Sequence, residues 1–363
     1  MVRDMDAEPA DHAVAAGDRP LRVVQWATGN IGRRSLRHVI EHPRLELVGV
    51  YTYDPDKVGA DAGVLCGVAP VGIAATDRRD AIVDLAPDCV LYMGRFADLD
   101  VLCALLGAGI DVVTTAGLFH HRPSLDASIR ERVEAACRAG GSTVHATGSS
   151  PGFITEAVPL ALASIQRRID RILIEEFADM SPRDSPELLF EIMGYGRPPG
   201  PADAGRAVHL RDSFGPSLRL LADAMGAPLD DVVAHGEIAV AASTTAIAAG
   251  TVDAGTVAAQ RTTVSGERGG RGFLEFRATW YVTHDLEPAW PLSPTGWRIT
   301  VEGDAPLVVE MPFPFGLDEM AAYSPGYTAN RAVNAVPLVC GADPGIATTL
   351  DLPPIIPDLS GHS

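Results

Sequence analysis

A doubly wound parallel α/β domain followed by an α+β domain with a mostly antiparallel sheet is the architecture expected for these 363 residues. Three observations lead there. Up to about residue 150, short apolar runs alternate with helical patterns, as in a parallel sheet covered by helices. The first run passes into the first helix through a glycine turn, Gly29-Asn30-Ile31-Gly32. From residue 273 the period drops to two, which fits an antiparallel sheet with one wet face.

The elements follow in order. Met1 to Pro20 is acidic and alanine-rich and is read as a solvated tail, residues 1–20. Leu21 to Trp26 is a strand, and the helix after the glycine turn runs to about Glu41, stopped by Pro43. Leu45 to Tyr51, Cys89 to Met93, Ile110 to Thr115 and Thr143 to Thr147 are further strands. Ser124 to Arg138 is an amphipathic helix, with Leu125, Ile129 and Val133 at helical spacing. This first domain is assigned to residues 21–150. The second, residues 151–325, opens on a strand from Arg171 to Phe177, passes through a Pro/Gly-rich stretch from Ser181 to Gly205, and has a helix from Gly215 to Met225. Leu274, Phe276, Ala278, Trp280 and Val282 then alternate with polar residues, and Trp297–Glu302 and Leu307–Met311 extend that sheet. The alanine-rich helix Tyr327 to Cys340 lies in a last segment, residues 326–363, expected to pack back on the first domain.

Composition narrows the chemistry. The formal net charge of −18 disfavours nucleic acid, whose binding rests on clustered cations. Lys57 is the single lysine, so any amine-dependent chemistry would have to use it. No run reaches the ~18 apolar residues of a membrane span, and the start of the chain lacks the order of a signal peptide. The five cysteines are scattered without a CxxC pair, which fits reduced thiols in a cytoplasm and no metal site.

Ala27-Thr28-Gly29-Asn30-Ile31-Gly32 is a GxGxxG fingerprint with alanine first. Gly29 lets the backbone approach a pyrophosphate, Gly32 lets helix and strand pack, and the helix N-terminus faces the anion. Set between a strand and a helix, it marks a Rossmann domain for NAD(H) or NADP(H). Asp54 at the end of the second strand would favour NAD through the ribose 2′-hydroxyl. Thr52 in that place, with Arg33, Arg34 or Lys57 beside it, would favour a 2′-phosphate, and NADP(H) is the preferred reading. Tyr53 and Lys57 match the Tyr-x-x-x-Lys spacing of short-chain dehydrogenases, but Pro55 forbids the shared helix face that pair requires.

The segments Val24–Gly32, Asp54–Gly63, Gly148–Phe153 and Asn330–Pro337 together resemble the dihydrodipicolinate-reductase-like proteins. Within them they resemble the branch holding 2,4-diaminopentanoate dehydrogenase and the native amine dehydrogenases. The resemblance implies NAD(P)H-dependent reduction of a C=O or C=N bond, an α+β domain that shapes the substrate pocket, and a homodimer. It implies cofactor contacts at Gly29, Asn30, Ile31 and Gly32, and in the loops at Met93-Gly94, Thr114-Thr115-Ala116-Gly117 and Pro151-Gly152. The amine dehydrogenases carry a glutamate just after the segment matching Thr114–Ala116, where this chain has Gly117 and Leu118. The lysine-bearing substrate motif of dihydrodipicolinate reductase is also missing.

Hydride delivery needs a proton carrier nearby. His120 and His121 follow in the same loop, and Glu176 ends a strand of the second domain, so these three are the catalytic candidates. Ketone, aldehyde or imine reduction on a small, mostly apolar molecule is the expected activity. An amine dehydrogenase with a relocated acid–base residue and a non-catalytic NAD(P)-binding sensor or scaffold are the alternatives.

Overall fold

The computed structural model describes residues 19–94, 96–200 and 204–360, so most of the tail expected at residues 1–20 lies outside the described residues. The first domain opens with β1 (Leu21–Trp26), α1 (Gly32–Glu41), β2 (Leu45–Tyr51), α2 (Ala62–Cys66), β3 (Ala75–Thr76) and α3 (Arg79–Asp84). It continues through β4 (Cys89–Tyr92), α4 (Leu99–Gly107), β5 (Asp111–Thr114), α5 (Ala127–Gly140) and β6 (Thr143–Ala146); α6 (Val158–Ala163) follows, and its Val158, Leu160 and Leu162 pack on the core of the second sheet. The second contains β7 (Ile169–Asp179), α7 (Ala204–Ala224), β8 (Asp231–Ala241), β9 (Thr245–Ile247), β10 (Gly250–Val252) and β11 (Val257–Arg268). After it come β12 (Arg271–Tyr281), β13 (Leu286–Glu287), β14 (Gly296–Gly303), β15 (Leu307–Pro312), α8 (Leu317–Cys340) and β16 (Gly345–Ala347).

The first sheet has the order β16-β6-β5-β4-β1-β2-β3 and all its pairs are parallel. β4 is buried on both faces, which is why it reads as an unbroken apolar run. On one face α4 and α5 cover Trp26, Tyr92 and Val112, where Trp26 stacks on Tyr51 at 3.9 Å between ring centroids. On the other, Leu36 and Val39 of α1 meet Ala332, Val333 and Val336 of α8 over Leu91 and Val113. The chain returns to this sheet after α8, and β16 pairs with β6.

The second sheet has the order β13-β8-β11-β12-β7-β14-β15, with only β12 and β7 parallel. One face carries Ile174, Phe276 and Ile299 against Leu218 and Leu221 of α7. α7 begins at Ala204 rather than near Gly215, because the helix runs through both Gly215 and Pro216. Among the described residues no helix is long and apolar enough to cross a membrane.

Candidate active site

β1 delivers the chain into a turn that only certain residues can make. Ala27 stands at φ +73°, in the left-handed region that favours glycine. A Cβ on Gly32 would lie 2.0 Å from the Ala27 carbonyl oxygen, so α1 can start there only with glycine. A Cβ on Gly29 would meet nothing within 4 Å, which leaves the backbone open to a ligand. Buried Gln25 locks the turn. Its amide donates to the Ala27 carbonyl at 2.9 Å, and its carbonyl accepts from the Ser35 hydroxyl at 2.5 Å. Ala27, Thr28, Gly29, Asn30, Ile31, Gly32, Thr52, Asp54, Met93, Gly94 and Thr115 all line one groove of about 460 Å³ at the C-terminal edge of the sheet. An open backbone, free helix N–H groups and a groove of this size fit the pyrophosphate and adenosine of a dinucleotide.

At the far end of the groove, the Thr28 and Thr52 hydroxyls bond each other at 3.1 Å. Asp54 accepts from the Asp56 N–H and pairs with Lys57 at 3.2 Å. The Lys57 ammonium also reaches the Thr28 carbonyl at 3.5 Å. Tyr53 and Lys57 line the same groove.

Ala116, Gly117, Pro151 and Gly152, also expected to contact the cofactor, do not line this groove. The Thr114 hydroxyl accepts from the Ala116 N–H, and Gly117 packs near Ser213 of α7. Gly152 has φ +121° and packs on Thr147, so the chain bends here before it becomes helical at Phe153.

The three catalytic candidates occupy different surroundings. His120 is buried, with Nδ1 2.6 Å from Glu156 Oε1. Glu156 also accepts from the Ser217 hydroxyl at 2.6 Å and from the Thr349 hydroxyl. Burial alone would raise the Glu156 carboxyl, but His120 and these hydrogen bonds hold it below its ordinary value. His121 has both ring nitrogens engaged, Nδ1 with Ser124 at 2.6 Å and Nε2 with Asp223 at 2.9 Å. Those contacts tie the loop to α7. Glu176 is half-buried on β7 and accepts from the Trp297 indole N–H at 3.2 Å. Burial pushes its carboxyl up, and Trp297, Ser150 and Trp280 only partly offset this.

An aromatic wall stands beside Glu176. Trp297 lies 4.8 Å from Phe313, 5.9 Å from Tyr327 and 6.3 Å from Phe153, centroid to centroid. Arg331 of α8 donates to the Thr147 hydroxyl at 2.9 Å and sits over the Phe153 ring at 5.8 Å. His145 donates from Nδ1 to the Ala347 carbonyl at 2.9 Å, and burial lowers it to about 4, which keeps it neutral.

Sequence reasoning missed Glu156 and Arg331. Each left a signal, namely a lone charge in an apolar run. Glu156 interrupts Phe153-Ile154-Thr155-Glu156-Ala157-Val158, and Arg331 is the only charged residue between Glu319 and Asp343.

Residues 200–360 match the family described as 2,4-diaminopentanoate dehydrogenase C-terminal domain. An amine dehydrogenase from Streptomyces virginiae is 29% identical over 347 residues, spanning 92% of this chain and 96% of that protein. A 4-hydroxy-tetrahydrodipicolinate reductase from Methanopyrus kandleri is 36% identical over 95 residues, 25% of this chain and 34% of its own. The solved amine dehydrogenase of Mycobacterium smegmatis superposes with a TM-score of 0.72 at 19% identity, covering 93% of this chain and 97% of that one. The chain is thus an NAD(P)-dependent oxidoreductase that resembles, in sequence and in fold, the 2,4-diaminopentanoate dehydrogenase and amine dehydrogenase branch of the dihydrodipicolinate-reductase-like proteins.

Proposed function

We propose that the chain reduces the C=N bond formed between ammonia and a small ketone or aldehyde, with Glu176 as the proton carrier. The observation that carries this reading is the Glu176 carboxyl itself. It is half-buried, raised by desolvation, and faces Ser150 beside Pro151-Gly152. A carboxyl whose proton is held more tightly than that of an exposed glutamate can do what the glutamate missing at Gly117-Leu118 would do. The amine dehydrogenase relatives support the same reading.

The bound nicotinamide supplies the hydride. Glu176 protonates the hydroxyl of the carbinolamine, so that water leaves and an iminium remains. After hydride reaches its carbon, the free amine departs and solvent returns a proton to Glu176. Carbonyl, ammonia, NAD(P)H and one proton are consumed, and amine, water and NAD(P)+ are released. The aromatic side chains of Phe153, Trp297 and Tyr327 exclude water and fit an apolar body on the substrate.

NADP(H) is preferred over NAD(H), since Asp54 is already paired with Lys57 and the ammonium stands beside Thr28. One assay tests both statements. NADPH oxidation with simple ketones should require ammonia and show a lower KM than with NADH. Turnover that proceeds equally without ammonia would reduce the reading to carbonyl reduction, and equal KM values would end the cofactor preference.

The other face of the second sheet supports a homodimer. There Glu175 pairs with Arg277 at 3.5 Å and Arg298 at 3.7 Å, while Arg171 and Arg298 each keep 27% of their side-chain surface exposed. Opposite charges in such a ladder can cross-pair with a second copy. Sedimentation equilibrium should give twice the monomer mass, and a monomer at micromolar concentration would refute the pairing.

A further inference from the structure

We infer that the cavity between α1 and α8 is a second ligand site, which takes a nucleoside monophosphate whose base carries an amino group. The site stands independently of the reaction proposed above. The cavity holds about 1050 Å³ and is bounded by α1, α2, α8 and residues 357–359. It shares no lining residue with the dinucleotide groove. Arg33 and Arg34, which the sequence places near the ribose of the cofactor, line this cavity instead.

One wall is cationic, in a chain whose formal net charge is −18. Arg33 and Arg37 stand one turn apart on α1. Arg34 is held in place by the carbonyls of Asn30 at 2.9 Å and Ala322 at 2.8 Å. Arg33 forms no ion pair among the described residues, and burial together with the Arg33 charge loosens the hold of Arg34 on its proton. Arg37 pairs with Glu41 at 2.9 Å, but both side chains are exposed, so a more highly charged anion can displace that contact at little cost. The other acid on the wall, Asp358, is engaged by Arg44 at 3.4 Å. Guanidinium groups in excess over carboxylates suit a phosphate, with its double charge and three acceptor oxygens.

Another wall is aromatic. Tyr323 and Tyr327 of α8 flank Phe315, at 5.0 and 6.4 Å between ring centroids. They keep 52% and 37% of their surface exposed, which leaves ring surface open to stacking by a base. Farther along α8, Asn334 also lines the cavity, and its Oδ1 is buried without a hydrogen-bond partner among the described residues. Such an acceptor is satisfied by an N–H donor. Asn330 on the same wall is already bonded to His38 at 3.1 Å. Phosphate, flat ring and N–H donor occur together in a nucleotide with an amino-bearing base. The sugar between them fits a cavity at the upper end of the range for small-molecule sites.

Calorimetry on the full chain saturated with NADP+, so that the dinucleotide groove is occupied, tests the site. The probes are adenosine and guanosine 5′-monophosphate, purine riboside 5′-monophosphate and inorganic phosphate. Adenosine or guanosine monophosphate should bind with a micromolar dissociation constant. Purine riboside monophosphate, which lacks the amino group, should bind about tenfold more weakly than the tighter of the two, and Asn334→Ala should erase that difference. Arg33→Gln and Arg37→Gln should each weaken the tighter nucleotide about tenfold, and Tyr323→Ala by about as much. Those three side chains are exposed, so their variants should keep the fold. The NADPH dissociation constant, followed by fluorescence, should stay within about twofold in all of them. Nucleotide binding lost on saturation with NADP+, or NADPH binding weakened by Arg33→Gln, would assign these residues to the cofactor and overturn the inference. Inorganic phosphate bound as tightly as the nucleotides, variants that bind like the parent, or no nucleotide binding up to about 1 mM would overturn it equally.

Discussion

Glu176→Gln is expected to lower kcat by about 10²- to 10⁴-fold in both directions, the span that a positioned acid–base group contributes. The amide keeps the size of the side chain and can still accept from the Trp297 indole, so the aromatic wall should stand. It cannot give up or take a proton. The affinity for NADPH should not change, because β7 belongs to the second sheet and not to the dinucleotide groove. The raised carboxyl also fixes the signs of the pH dependences. Reduction uses the protonated form and should fade as pH rises through the raised value. Oxidation of the amine uses the carboxylate and should grow over the same interval.

Stability offers a second readout. A carboxyl whose folded value lies above its unfolded one contributes stability that is complete below the unfolded value and is lost as pH rises through the folded one. Glu176→Gln should therefore melt like the parent protein in acid and above it in mild alkali. A variant that keeps kcat within about threefold of the parent removes Glu176 from the mechanism.

Glu156→Ala is expected to destabilise the protein by about 3–5 kcal/mol, the usual cost of removing one partner from a buried, hydrogen-bonded ionisable pair. Glu156 is fully buried, and its partners come from three other parts of the chain. His120 follows β5, Ser217 lies on α7, Thr349 follows β16, and Glu156 itself follows β6. Truncation leaves three polar side chains in the interior without their acceptor. Glu156→Gln should cost less, since its carbonyl still accepts, although the attraction to His120 is gone. The carboxyl is held below its ordinary value of 4.5, so its contribution is present above about that pH and lost as pH falls through the folded value. Urea unfolding at neutral pH and near pH 4 measures both effects. Equal midpoints for Glu156→Ala and the parent would show that the network holds nothing together.

The first sheet was legible in the sequence because a parallel strand buried on both faces leaves an apolar run with sharp ends. Leu21–Trp26 and Leu45–Tyr51 have the same limits in the sequence reading and in the structure. β11 was not legible for the opposite reason. It is central in its sheet, yet Thr262, Thr263 and Ser265 stand buried on it beside Arg261 and Gln260, so neither period two nor a continuous apolar run appears. The first half of α7 was hidden by Gly215 and Pro216, residues that read as breakers but lie inside the helix. The fingerprint and its groove followed from local spacing alone. Glu156 and Arg331 did not, since their meaning depends on partners up to 193 residues away in sequence.

The return of the chain to its first sheet has a consequence for biosynthesis. β16 pairs with β6, and the Asp343 carbonyl accepts from the Thr143 hydroxyl across 200 residues. α8, which covers Leu91 and Val113, also comes from the last part of the chain. On the ribosome the N-terminal half therefore emerges with one face of its sheet covered by α1 but not yet by α8. It must wait for the final segment while the entire second domain is made, so the domain that begins first is finished last.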